Sequence, residues 1–292
     1  MNYEKELKRQ QKKETKMQMK ALKQKERREK KELLDAYMHD RKVDALIKKD
    51  IDQERRRAYV EKMTPKWEKW KKLNEAPKLT LLEEIGNAIT HGVGVILTII
   101  AYILLMQKSD TPLKIIASSV YCLAMFFMFF NSCLYHSWRW GSKVKRIWRR
   151  FDYTSIYLMI AGTFAPLQLI EIPSDFGNPN GFIFGIIYFS IMWAFVITGI
   201  TLTCVFGPGR TKKINFPLYF IIGWSGLCVL PGWIIHKNFE LLFWILAGGI
   251  VYTLGMIPFA LLRGKKGAHF IWHLIVMAGV VIQFIGIYLC VY

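Results

Sequence analysis

Three histidines and one aspartate stand at the ends of otherwise apolar runs. His269 and His273 form a His-x3-His pair, which places both imidazoles one turn apart on one helix face. His136 closes another apolar run with Ser132 one turn before it, and Asp152 opens the next run directly after a basic loop. Ionisable groups inside a membrane span are costly, so their presence there points by default to function. Three neutral imidazoles plus a water make up a catalytic zinc site, in which the open fourth position holds the water. A carboxylate such as Asp152 can orient or deprotonate that water, or hold a ligand histidine from behind. Ser132 could hydrogen-bond the water or a substrate carbonyl; its alternative is a bond to its own helix backbone. Imidazole also suits copper, nickel or iron, so zinc is inferred from the type of ligand.

A second polar group lies in Glu84, Asn87 and His91, spaced i, i+3 and i+7 on one helix face. Two readings stand. The three line the same cavity as acid, hydrogen-bond donor and further base, or they pin the first span against its neighbours. Glu83 and Glu171 read as interfacial residues, and His236 and His39, the latter in the tail, as interfacial histidines satisfied by a carbonyl or water. Cys122, Cys133, Cys204, Cys228 and Cys290 are scattered singly with no Cys-x-x-Cys pair, which marks them as small packing residues.

The elements that must position these groups are membrane helices. A bilayer core of about 30 Å needs roughly 20 apolar residues in helical form, because open backbone in lipid leaves polar groups unsatisfied. Seven runs qualify: Ile85–Met106, Ile115–Ser137, Asp152–Ile172, Gly181–Phe206, Phe216–Ile235, Leu241–Leu262 and Ala268–Tyr292. Short connectors rich in turn residues join them, which predicts an all-α, seven-transmembrane bundle of sequential neighbours. One set of loops holds Arg139, Lys143, Lys145, Arg146, Arg149, Arg150, Arg210, Lys212, Lys213, Arg263, Lys265 and Lys266. The other set holds only Lys108, Lys114 and Lys237. Basic loops stay inside, so the N-terminus is expected in the cytoplasm and the C-terminus outside, in a multi-pass protein of the plasma membrane. At about 1.5 Å per residue, His136, Asp152, His269 and His273 then fall within roughly 10 Å of one level, at the cytoplasmic ends of their helices.

The first 80 residues differ in kind from residues 81–292. They hold 26 of the 41 Lys and Arg and 15 of the 22 Asp and Glu, with no glycine and only Pro65 and Pro77 as breakers. This predicts a charged cytoplasmic helical tail and does not resemble a secretory signal. Anionic lipid headgroups are its candidate partner, with Trp67 and Trp70 at headgroup level; a solvated helix is the plainer reading. Interleaved acidic residues dilute the field, so nucleic acid is not an expected partner.

The motifs together resemble the hemolysin III family of the progestin and adipoQ receptor superfamily, over roughly residues 80–292. The marks are Glu84-x2-Asn87-x3-His91, Ser132-x3-His136, Asp152 and His269-x3-His273; the long charged tail departs from the pattern. The resemblance implies zinc on His136, His269 and His273, with Asp152 and Ser132 close by, and a link to membrane hydrolases of the ceramidase type. The function expected is zinc-dependent hydrolysis of a lipid amide or ester, with Asp152 and Ser132 as catalytic residues and a membrane lipid as substrate. A pore-forming cytolysin, as the family name suggests, is the alternative, though the spans offer no polar stripe to line a channel. A receptor or signalling module with structural zinc is the third reading.

Overall fold

A computed structural model describes residues 3–176, 180–261 and 265–292. Leu262, the expected end of the sixth span, and Arg263, one of the expected inner-loop charges, lie outside the described residues. The described elements are helical: α1 (Tyr3–Leu73), α2 (Leu81–Gln107), α3 (Pro112–Ser137), α4 (Lys143–Pro166), α5 (Ile172–Phe176), α6 (Asn180–Phe206), α7 (Pro208–Trp224), α8 (Leu230–Ile235), α9 (Phe239–Leu261) and α10 (Ala268–Cys290). A π-helical turn, Leu167–Glu171, joins α4 to α5, and a 3-10 turn, Ser225–Cys228, lies between α7 and α8.

The contacts divide the chain into two units, Met1–Lys69 and Trp70–Tyr292. In the first unit, Leu33, Leu34, Tyr37, Leu46, Ile47 and Ile51 all remain exposed along α1. Its apolar residues are too scattered to form the broad stripe with which a helix packs on a core.

Among its described residues, the second unit contains seven stretches long and apolar enough to cross a membrane, including Lys143–Asp175 and Pro208–Ile235. These two begin well before the expected Asp152 and Phe216. Hydropathy marks where the charges stop, whereas helical hydrogen bonding runs on through them. Each early start has a local cause. The Ser142 hydroxyl accepts from the Lys145 N–H at 3.0 Å, capping α4. Pro208 occupies the first turn of α7 after Gly207, whose φ of 83° turns the chain.

Sequential neighbours form the closest pairs: α2 with α3, α3 with α4, and α9 with α10. The α4 stretch is the most buried span, with Tyr157, Ala161 and Ala165 fully enclosed. Gly162 lets α3 approach it closely, since a Cβ there would sit 2.3 Å from Cβ of Ala124. α6 and α7 pack on α4, while the α9–α10 pair joins the bundle through α10 against α2. The helices therefore follow an arc, with α7 and α9 at its two ends and no comparably extensive packing between them.

Candidate metal centre

Every polar residue singled out in the spans except Glu171 and His236 lies at the end of the bundle that carries the basic loops. His136 is in the last turn of α3, Asp152 in the third turn of α4, His269 and His273 in the first two turns of α10, and Glu84, Asn87 and His91 in the first three turns of α2.

Local sequence explains how these ends meet. Thr80 and Glu83 form a capping box at the start of α2, in which the Thr80 N–H donates to the Glu83 carboxylate at 2.9 Å and the Thr80 hydroxyl accepts from the Glu83 N–H. The other oxygen of Glu83 accepts from the N–H of Gly267, which precedes α10 with a φ of 80°. One carboxylate thus starts α2 and fixes the first turn of α10, the turn that bears His269. Glu83 is thus more than the interfacial residue its position suggests; nothing in its spacing points to a residue 184 positions away.

The three histidines converge. One ring nitrogen from each of His136, His269 and His273 lies within 4.8 Å of the others. Nε2 of His136 is 3.2 Å from Nε2 of His269. Two nitrogens at zinc–ligand distances in a tetrahedral set stand about 3.3 Å apart, so this pair fits such an ion. His136 and His273 are buried, at 3% and 2% exposure. Glu84 Oε2 lies 2.7 Å from Nδ1 of His136; a carboxylate can only accept there, so Nδ1–H donates and, in the neutral ring, the Nε2 lone pair faces the cluster. Asn87 lies farther from the same nitrogen, at 3.5 Å, with its Oδ1 unpartnered. His91 stacks on His273 with ring centroids 3.7 Å apart and meets Phe129 edge-on at 5.2 Å. Neither of its ring nitrogens, nor Nδ1 of His273, has a hydrogen-bond partner among the described residues.

A cavity of about 180 Å³ opens beside the cluster. Its head carries His91, Ser132, Asp152, His269 and His273, and Ser132 hydrogen-bonds the Asp152 carboxylate. From there it runs between α4, α7, α9 and α10 over mainly apolar and aromatic side chains. Phe164, Gly223, Trp224, Gly249 and Gln283 form its floor and also line a smaller hollow beyond. Across the gap between α7 and α9, the Trp224 indole donates to the Thr253 hydroxyl at 3.1 Å.

Lys145, expected as a loop charge, is a buried part of this region. It is 1% exposed, with Nζ 2.8 Å from Glu84 Oε1 and 3.0 Å from the Tyr135 carbonyl oxygen. The available signal was its spacing from Arg149: the two are i and i+4 on the inward face of α4, and both are buried.

Comparison with known proteins identifies the family. Residues 79–284 match the family described as "Haemolysin-III related". "Hemolysin-3" of Bacillus cereus is 36% identical over 210 residues, covering 69% of this chain and 89% of that protein. "Hemolysin-3 homolog" of Bacillus subtilis (strain 168) is 31% identical over 206 residues, covering 68% and 90%. "Monocyte to macrophage differentiation factor" of Homo sapiens is 25% identical over 220 residues, covering 74% and 87%. The matched stretch contains every histidine and carboxylate of the cluster described above. The chain is therefore a multi-pass membrane protein of the haemolysin III-related family, within the progestin and adipoQ receptor superfamily.

Proposed function

We propose that His136, His269 and His273 hold a zinc ion and that the protein hydrolyses a lipid amide or ester at the cytoplasmic side of the plasma membrane. The observation that carries this reading is the meeting of three ligand nitrogens with Asp152 and Ser132 at the head of one apolar cavity. A structural zinc takes four protein ligands, and the three-histidine set leaves a position free. Zinc bound there supplies a water acidified to a pKa of about 7 and a Lewis acid for the scissile carbonyl.

The rest of the chemistry belongs to the chain. Glu84 takes the Nδ1–H of His136, so that ring presents its Nε2 lone pair. Asp152 accepts the proton of the attacking water and passes it to the leaving nitrogen or oxygen. Ser132 donates to the Asp152 carboxylate at rest; once Asp152 has taken up the proton of the water, the Asp152 O–H can donate to the Ser132 oxygen and the Ser132 hydroxyl is released to donate to the carbonyl as charge develops on it. The cavity takes the lipid chain and keeps bulk water from the carbonyl. The sparse packing between α7 and α9, bridged by the Trp224–Thr253 hydrogen bond, suits sideways entry of a substrate that never leaves the bilayer.

The test is zinc content and turnover of lipid amides in detergent-purified protein. Wild type should carry about one zinc per chain, and the His269→Ala, His273→Ala double variant none. Asp152→Asn should keep the zinc and lose turnover by at least a factor of about 100, the usual size of a general-base contribution. Turnover in Asp152→Asn equal to wild type would remove Asp152 from its role.

A cytolytic reading is favoured by the name of the Bacillus cereus relative, "Hemolysin-3". Dye release from liposomes that persists without the zinc ligands would favour it over hydrolysis. A signalling module with structural zinc would instead show zinc without turnover and a requirement for the tail.

A further inference from the structure

We propose that Lys145 is a positioning residue for the metal centre, acting through Glu84 to set the orientation and tautomer of His136. The inference rests on the zinc reading above and assigns a task that this reading leaves open.

An ammonium group withdrawn from water is costly and is retained only where its donors are met. Lys143, two residues earlier on α4, is exposed, as expected for a loop lysine. Lys145 is turned inward, and its partners are specific. Glu84 Oε1 is 2.8 Å away, the Tyr135 carbonyl oxygen accepts at 3.0 Å, and the Tyr135 ring lies under the ammonium at 4.5 Å.

Each partner leads directly to His136. The two oxygens of Glu84 are divided, Oε1 to Lys145 and Oε2 to Nδ1 of His136. With one oxygen held by the ammonium, the carboxylate cannot rotate away from the imidazole. A carboxylate fixed against Nδ1–H leaves Nε2 unprotonated and aimed along the line on which His269 Nε2 stands 3.2 Å away. The Tyr135 carbonyl belongs to the last turn of α3, where main-chain acceptors lack helical donors. Lys145 satisfies one of them and favours the negative end of that helix. One side chain therefore secures both the backbone that carries His136 and the carboxylate that orients its ring. Asn87, at 3.5 Å, is too distant to replace Glu84 in this task.

The ordinary alternative is a staple between α3 and α4 with no bearing on the metal. Lys108 provides the comparison, because its Nζ donates to the Tyr288 carbonyl at 2.9 Å and sits 4.0 Å over that ring, at the opposite end of the bundle. The experiment uses full-length protein in mild detergent, loaded with zinc and dialysed against a graded chelator. Zinc per chain is read by elemental analysis and unfolding by a thermal melt. Cobalt(II) is then substituted, so that its visible absorption reports ligand geometry.

Lys145→Met should lose zinc at a chelator activity about 10–100-fold lower than wild type and show an altered cobalt spectrum, the usual result of removing an outer partner of a metal ligand. Lys108→Met should keep both properties whatever its melting temperature. Lys145→Arg retains a cation for Glu84 and should hold zinc more tightly than Lys145→Met. If Lys145→Met does not fold, Lys145→Arg and Glu84→Gln carry the test, with Glu84→Gln expected to match the loss. Wild-type zinc retention and cobalt spectrum in Lys145→Met, or in Glu84→Gln and Lys145→Arg together, would overturn the inference while leaving the zinc reading intact. Wild type that takes up no zinc would overturn the zinc reading itself, and the inference with it.

Discussion

Filling the floor of the cavity should shorten the lipid chain that the protein accepts. Gly249 lines that floor, and a Cβ added to it meets nothing within 4 Å. Its level follows from its neighbours: Gly248 faces Gln283, and Gly279 faces Tyr252, so Gly249 lies level with Gln283. Gln283 is ten residues beyond His273 on α10, a rise of about 15 Å. An extended chain advances about 3.6 Å for every three bonds, so about twelve carbons span the distance from the histidines to the floor. Gly249→Leu inserts a side chain about three carbons long and displaces about as many methylenes from the substrate. At about 0.8 kcal/mol each, the loss is about 2.4 kcal/mol, or roughly fiftyfold in kcat/KM for a chain that reaches the floor. Chains about three carbons shorter should be turned over as by wild type. Leu is the better helix former, so folding should not suffer. The assay is competition among amides of one headgroup and graded acyl length, with product lengths read by mass spectrometry. A length profile identical to wild type, from protein that still carries zinc, would refute the placement of the chain in this cavity.

Two further outcomes test the scaffold. Gly162→Leu should destabilise the bundle by about 1–3 kcal/mol, because its Cβ would meet that of Ala124 at 2.3 Å; a melting temperature equal to wild type would contradict the close α3–α4 approach. Deleting residues 1–69 should leave zinc content and turnover unchanged, since those residues form a unit of their own; loss of either in a well-folded truncated protein would favour the signalling reading.

The spans and their common polar end were legible in the sequence because hydropathy over about 20 residues and the placement of basic loops are one-dimensional signals. His136, His269 and His273 were legible for the same reason, being polar residues that apolar runs do not need. Lys145 was not. The rule that assigns loop charges counts lysines without asking which side of a helix they occupy, and α4 begins nine residues earlier than its apolar run. Glu83 was missed because its task lies in joining α2 to Gly267, a pairing that only the assembled bundle brings about. The break in the fifth span at Ser225–Cys228 is lost when hydropathy is averaged over a whole span, although Ser225-Gly226 and Pro231-Gly232 are pairs that interrupt helices.

The attachment of the α9–α10 hairpin bears on how the protein is made. The N-terminal spans of a membrane chain leave the ribosome first, and here α2, α3, α4, α6 and α7 pack against one another without the last hairpin. His136 is therefore in place early, while His269 and His273 arrive only with the final helix, which docks through α2. A chain that ends before α10 has one of the three converging histidines, so the group is complete only when the last helix has been made.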